Sequence, residues 1–231
     1  MIDHRWNVIN EGPKDIIVYG GGDQGRVDYP ILEQLGYRVR AFVDDTPGMF
    51  SPVKGIPILQ GLQKLRDFLM NSEDSMTGFV LAIGNPYGHV RIRLHNALKS
   101  EGLHPISFAD PTALICKSAT FSAGLQVMTS AIVERDVKIG RQCIINTRAL
   151  ITHDCELGDG VEIAPGAVLC GRVKVGENSW IGANACVRQK VVIGNNSIVG
   201  AGSVVVSDVP DNVIVVGAPA RFLKSNFIKE S

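Results

Sequence analysis

Aromatic side chains supply only 6% of these 231 residues, so packing falls to aliphatic groups within a composition that is 45% apolar and 20% charged. Net charge is missing as well. The 23 Lys plus Arg balance 23 Asp plus Glu, which removes the global positive field that nucleic acid or an anionic membrane surface would favour. No stretch approaches the roughly 18 apolar residues of a membrane span, and the opening MIDHRWNVINEGPKD has no basic segment leading into an apolar one. The chain therefore reads as soluble and cytoplasmic, with no nucleic-acid partner. Five cysteines, an odd number with no CxxC pair, argue against a disulfide framework and a structural zinc site. They read as reduced thiols.

Glycine, by contrast, is abundant at 25 residues, and it accompanies a repeat. Stepping by six from Ile115 gives Phe121, Val127, Val133, Ile139, Ile145 and so on to Val205, and all sixteen positions are apolar. Two residues before each later member stand Ala119, Ala131, Val137, Cys143, Ala149, Cys155 and their successors, small in every case but Leu125. A helix would scatter a six-residue step over several sides, whereas a strand keeps positions i and i−2 on one face. The pairs Ile139-Gly140, Leu157-Gly158, Val175-Gly176 and Ile193-Gly194 add a period of eighteen, three sixes. This symmetry predicts a parallel β-helix of triangular section, about five coils and roughly 24 Å tall at ~4.8 Å per stacked strand.

The first 110 residues follow a different grammar. Buried-strand runs at Asp15–Tyr19, Tyr37–Val43 and Phe79–Ile83 alternate with helical patterns near 25–35, 60–70 and 87–100, which predicts a small parallel α/β sheet. Pro30 should kink the first helix or limit its amino-terminal turn. With the boundary at Ala109-Asp110-Pro111, the chain divides into an α/β domain over 1–110 and a β-helix with a closing segment over 111–231.

Gly20-Gly21-Gly22-Asp23-Gln24-Gly25 matches GxGxxG where a strand gives way to a helix, and Asp44-Asp45 follows at the end of the next strand. Glycines let backbone N–H groups approach a pyrophosphate at the positive end of a helix, and an acid there can accept hydrogen bonds from a ribose or a base. The same glycines could serve only a tight turn. Three or four strands in about 110 residues are fewer than a dinucleotide domain usually has, so a nucleotide-sugar pocket is the preferred reading.

Of five histidines only His153 falls within the repeat, on a turn two residues after the inward Ile151 and beside Asp154, a carboxylate able to orient an imidazole. One coil away on either side stand Arg135 and Gly171; the glycine leaves room and a free backbone N–H. A general base fits that placement, and a solvated surface histidine is the plain alternative. A zinc site of three histidines needs more ligands than the repeat has, so no metal is expected. Cys143 and Cys155 occupy small inward positions and read as core. Coil edges are where subunits can pack, and the triangular section predicts a homotrimer.

Together these residues resemble the hexapeptide-repeat acyltransferases of left-handed β-helix type, specifically the sialic-acid O-acetyltransferase and bacillosamine/perosamine N-acetyltransferase family. The resemblance rests on the glycine loop, Asp44-Asp45, Ala82-Ile83-Gly84-Asn85, Ile151-Thr152-His153-Asp154-Cys155, Ala164-Pro165-Gly166-Ala167, Gly200-Ala201-Gly202 and Gly217-Ala218-Pro219-Ala220-Arg221. It implies a left-handed coil, His153 as general base with Asp154 raising its basicity, and Asn146 helping to place the acceptor. It also implies a nucleotide held by Asp23, Gln24, Gly25, Asp44, Asp45 and Gly84, and acetyl-CoA as co-substrate along the prism edge against Glu162, Gly171, Ala183 and Ala201. The family usually carries histidine where Gln24 stands, and often where Glu162 stands. Basic groups for the CoA phosphates are available at Arg188, Lys190, Arg221 and Lys224.

The expected activity is N-acetylation of a UDP- or GDP-linked 4-amino sugar for a bacterial surface glycan. O-acetylation of a sialic-acid-type sugar, a non-catalytic nucleotide-binding scaffold and an NAD-dependent oxidoreductase are the alternatives.

Overall fold

The computed structural model describes residues 12–70, 77–84 and 86–227. The reading of the amino-terminal segment, His4 and the Asn85 position of the Ala82-Ile83-Gly84-Asn85 motif fall largely or wholly outside these residues. Among the described residues no helix is long and apolar enough to cross a membrane.

The amino-terminal lobe is built from β1 (Asp15–Tyr19), α1 (Asp23–Gln34), β2 (Arg38–Asp44), β3 (Ile58–Gln60), α2 (Gly61–Met70), β4 (Gly78–Leu81), α3 (Gly88–Ser100) and β5 (His104–Pro105). The strands form one parallel sheet in the order β3-β2-β1-β4-β5. After Asp15, β1 runs as a continuous apolar stretch because it packs on both faces: Ile16 and Val18 on one side, Ile17 and Tyr19 on the other. The short β3 and β5 escaped the sequence reading because two or three residues carry no periodicity. Helix α1 runs through Pro30 to Gln34, with the proline eight residues into it, and the ring removes the N–H that the Arg26 carbonyl would have accepted.

From Phe108–Ala109 onward the chain coils into a left-handed parallel β-helix of two-residue strands. Each strand pairs with the one eighteen residues on, as in Ile132↔Leu150, Lys138↔Glu156 and Ile144↔Glu162. The every-sixth aliphatics and the small residues two before them form one continuous core from Ala109 to Val215. Three aliphatic side chains per coil, for example Ile145, Ile151 and Leu157, are buried there, worth roughly 1.5–3 kcal/mol apiece. Cys143 and Cys155 belong to this core, and burial pushes their thiols up to about 12 and about 11, so they stay protonated at neutral pH. After Val205 the register shortens: Ile198 pairs with Ile214, sixteen residues on, and strand Arg221–Ser225 turns back antiparallel to close the stack. The six-residue register therefore ends before the last coil.

Most corners turn through one left-handed residue. From Ser130 to Gly202 each sixth residue has positive φ, most often Asp, Asn or Gly, the types that tolerate it best. Asp154 is one of them, with φ 58°.

The lobe sits directly on the prism. Met128 and Ile144 of the coils join the lobe cluster of Ile106, Phe108, Val80 and Ala82. At the start of α3, a Cβ on Gly88 would lie 2.3 Å from the Gly160 carbonyl oxygen and 2.9 Å from Asn178 Cα, so only glycine permits this approach. Gly88→Ala should lift α3 off the prism at a cost of about 1–3 kcal/mol. A thermal melt of the variant checks this, and an unchanged midpoint would contradict the packing.

Candidate active site

An eighteen-residue coil turns each outward position into a ladder, and the three faces carry three chemistries. One face presents Gln126, Ile144, Glu162 and Trp180 and is covered by the lobe. The second presents Thr120, Lys138, Glu156, Lys174 and Val192, with Glu156 Oε1 3.9 Å from Lys138 and its Oε2 3.3 Å from Lys174. The third presents Leu114, Ile132, Leu150, Val168, Cys186 and Val204, a partly exposed apolar column that no lobe element among the described residues covers.

His153 stands on the edge between the apolar and charged faces. Its Nδ1 is 2.8 Å from Asp154 Oδ2, and its backbone N–H donates to Glu134 Oε2 at 3.0 Å. The left-handed backbone of Asp154 folds its carboxylate back onto the imidazole beside it. That hydrogen bond, with Arg172 Nε 3.6 Å away, holds the Asp154 carboxyl below the usual carboxylate range. With Nδ1 engaged, Nε2 remains the atom able to take a proton. The ring is about half exposed. Gly171 lies one coil on, and a Cβ there would stand 2.6 Å from both Cε1 and Nε2. The space left by Gly171 is thus filled by the imidazole itself, whereas sequence reasoning reserved it for the reacting group. The Gly171 N–H donates to no backbone carbonyl of the described residues, while its own carbonyl accepts from Lys190 N–H.

The other residues assigned to the acyl donor and acceptor lie elsewhere. Asn146, Ala183 and Ala201 sit on the opposite edge of the apolar face, where Asn146 Oδ1 accepts from the Thr147 N–H. A whole face separates them from His153 in one chain. Glu162 lies on the lobe-covered face, 2% exposed, with Oε2 3.8 Å from Arg91 Nη1; it offers no free surface here. Arg188 and Lys190 continue the His153 edge, and Arg221 and Lys224 lie on the exposed closing strand.

In the lobe, the strand order places a crevice between the carboxyl ends of β1 and β4, where open parallel sheets take ligands. Gly20, at φ +117°, passes so close to Ala82 that a Cβ would meet its carbonyl oxygen at 2.1 Å. Gly22 caps α1 and faces open space. Asp44 braces this loop: Oδ2 accepts from Gly21 N–H at 2.8 Å and Oδ1 from Thr46 N–H at 2.9 Å. Asp45 accepts from the Tyr19 hydroxyl, whose pKa burial and that carboxylate push up. Asp23 is exposed beside Arg26, while Gln24 reaches inward, its Nε2 donating to Asp28 Oδ1 at 2.8 Å. A Cβ on Gly84 would lie 3.8 Å from Gln24 Oε1, so the two loops meet across the crevice. Gly25 packs on the Gly20 carbonyl. The six residues expected to hold a nucleotide thus gather at one end of the sheet.

Sequence reasoning missed the polar seam beneath that crevice. Asp28 is fully buried, which pushes its carboxyl up to about 8. Gln126 Nε2 donates to the Leu81 carbonyl, and Gln142 Nε2 to His95 Nδ1; burial lowers the His95 pKa and favours the neutral ring. Arg91 and His95, four apart on α3 among apolar neighbours, were the available signal. No group of three or more His, Cys, Asp or Glu among the described residues is placed to hold a metal ion.

Two family models match this chain: the PglD N-terminal domain over residues 15–98, and the bacterial transferase hexapeptide (six repeats) over 136–171 and 172–207. Among solved structures, PerB from Caulobacter crescentus, in complex with CoA and GDP-perosamine, is 32% identical, covering 90% of this chain and 97% of that one at a TM-score of 0.82. The acetyltransferase domain of PglB from Neisseria gonorrhoeae, in complex with acetyl coenzyme A, is 31% identical over 92% of this chain and 100% of that one, TM-score 0.80. WeeI from Acinetobacter baumannii matches at 28% identity over 90% and 99%, TM-score 0.80. With its two-part architecture, coil period and residue identity all in agreement, the chain belongs to the hexapeptide-repeat acyltransferases of left-handed β-helix type, in the perosamine and bacillosamine N-acetyltransferase family.

Proposed function

We propose that this protein transfers the acetyl group of acetyl-CoA to the amino group of a UDP- or GDP-linked 4-amino sugar, for bacterial surface glycan synthesis. The observation that carries the reading is the His153–Asp154 pair, an oriented base on an open prism edge, in a chain whose lobe has a glycine-lined crevice at its switch point. PerB, similar over nine-tenths of this chain, binds CoA together with a nucleotide amino sugar.

The active unit in this reading is a homotrimer. The lobe occupies one prism face, and His153 lies on the edge opposite that face, so the crevice and the base of one chain point apart. The partly exposed apolar column supplies the contact: packed against a neighbour about a threefold axis, it sets the His153 edge of one copy beside the Asn146, Ala183 and Ala201 edge of the next. Apart from the buried Glu162, the residues assigned to acetyl-CoA and acceptor then share one cleft. The division of labour follows the chain, with residues up to about 110 holding the nucleotide and the coils holding CoA.

His153 Nε2 takes the proton from the acceptor amine as its nitrogen forms a bond to the thioester carbonyl carbon. Asp154 fixes the ring with Nδ1 protonated and stabilises the imidazolium that results. The Gly171 N–H donates to the developing oxyanion, and the C–S bond then breaks as the imidazolium returns the proton to the CoA thiolate. A 4-amino sugar arrives largely as an ammonium, so one task of the site is to hold it deprotonated.

Incubation with acetyl-CoA and a GDP- or UDP-linked 4-amino sugar should release free thiol in step with N-acetylated product. His153→Ala should lower that rate by a factor on the order of 10² or more; an unchanged rate would leave the histidine a surface residue and the reading wrong. Gly171→Ala should push the imidazole out of its seat, lowering kcat about tenfold or more while the melting temperature stays within a few degrees. Parallel steady-state kinetics and melts check it, and an unaltered kcat would contradict the placement of the ring.

A further inference from the structure

Arg91 is the largest fully buried side chain among the described residues, and its surroundings are unusual for a charge. All three guanidinium nitrogens donate to backbone carbonyls: Nε to Gln142 at 2.9 Å, Nη1 to Ile83 at 2.8 Å and Nη2 to Gly160 at 2.8 Å. Gln142 and Gly160 are equivalent corner positions of consecutive coils, eighteen residues apart, so two arms of the fork grip the prism. The third arm grips the residue before Gly84, on the loop that follows β4 and forms one wall of the crevice. Two residues earlier, Gln126 of the prism donates to the Leu81 carbonyl at 2.7 Å. Successive outward carbonyls at the end of β4 are therefore held from the prism side.

Charge balance supports a fixed arrangement. Glu162 of the prism lies 3.8 Å from Nη1 and serves as counter-ion, while the neighbouring Asp28 is kept protonated near neutral pH by burial. One arginine thus faces one carboxylate. A guanidinium whose three nitrogens each donate to a fixed backbone carbonyl is held in one pose, unlike an ammonium on a flexible stem. A purely structural ion pair would have no reason to reach the crevice loop.

We propose that Arg91 is a positioning residue: it fixes the Ile83–Gly84 wall of the nucleotide crevice to the coils that carry the acyl-transfer edge, and so sets nucleotide-sugar affinity without touching CoA. This rests on the reading of the crevice as a nucleotide site. The residue acts through the loop, and its removal should be felt selectively by the ligand that the loop contacts.

The test uses the full chain with Arg91→Met and Arg91→Lys, titrated separately with GDP, UDP and CoA by calorimetry, alongside KM for the nucleotide sugar and for acetyl-CoA. Arg91→Met should weaken the preferred nucleotide diphosphate about tenfold or more and raise the sugar KM to match, with CoA affinity and acetyl-CoA KM within about twofold. Arg91→Lys keeps the charge beside Glu162 but not the fork; it should fall between wild type and Met, and it carries the same comparison should the Met variant fail to fold. Nucleotide and CoA affinities that fall together, or a nucleotide affinity that does not change, would overturn the positioning role. A wild-type chain that binds neither GDP nor UDP overturns the crevice reading instead, whatever Arg91 does.

Discussion

The coil period of eighteen residues is the constraint on which everything else depends. Because each strand hydrogen-bonds to the strand one coil away, an outward residue is always stacked on residues eighteen positions before and after it. A face of the prism can therefore specialise, and a single edge position can face the same kind of neighbour along its length. Here one ladder is apolar, one is charged and one is built to receive the lobe. The proposed site follows from that partition: with one face covered by the chain's own lobe, His153 stands on the opposite edge, where the proposed trimer would bring it to ligands held by another copy.

The seam between lobe and prism is the second consequence. Apolar contacts through Ile144 and Met128 supply the burial, but they are non-directional and would tolerate sliding. Register comes from Gly88 against the Gly160 carbonyl and from the fork of Arg91, which has one geometry. Burying a charge in this way is costly unless it is fully bonded, so the seam is locked or strongly destabilised, with little between.

Much of this was legible in the sequence. The step of six from Ile115 to Val205 foretold the prism because an inward position in so narrow a column admits only aliphatic and small residues, and no other element has that period. Helices α1, α2 and α3 fell within two residues of expectation for the same reason of periodicity. His153 and Asp154 stood out as the one histidine of the repeat and its acidic neighbour, and the structure places them 2.8 Å apart. The seam was not legible, because Arg91, Gln126, Gln142 and Glu162 are ordinary surface types whose burial depends on how two domains dock. Glu162 could be assigned only by analogy, and docking puts it beneath the lobe. The apolar ladder of Leu114, Ile132, Leu150 and Val168 was present in the sequence too, one residue before each inward position, but it becomes visible only when the coils are separated into faces.

The proposal that base and crevice come from different copies makes a demand that mixed assemblies can test directly. Gly22→Asp places a carboxylate in the open space at the start of α1, where a pyrophosphate would bind, and leaves His153 intact; His153→Ala leaves the crevice intact. Each variant alone should be inactive. Co-expressed in equal amounts, they should recover about a quarter of wild-type activity per site, since in a closed ring that fraction of contacts unites an intact base with an intact crevice. Mixed trimers as inactive as either parent would mean that base and crevice belong to one chain, and the shared cleft would have to be abandoned.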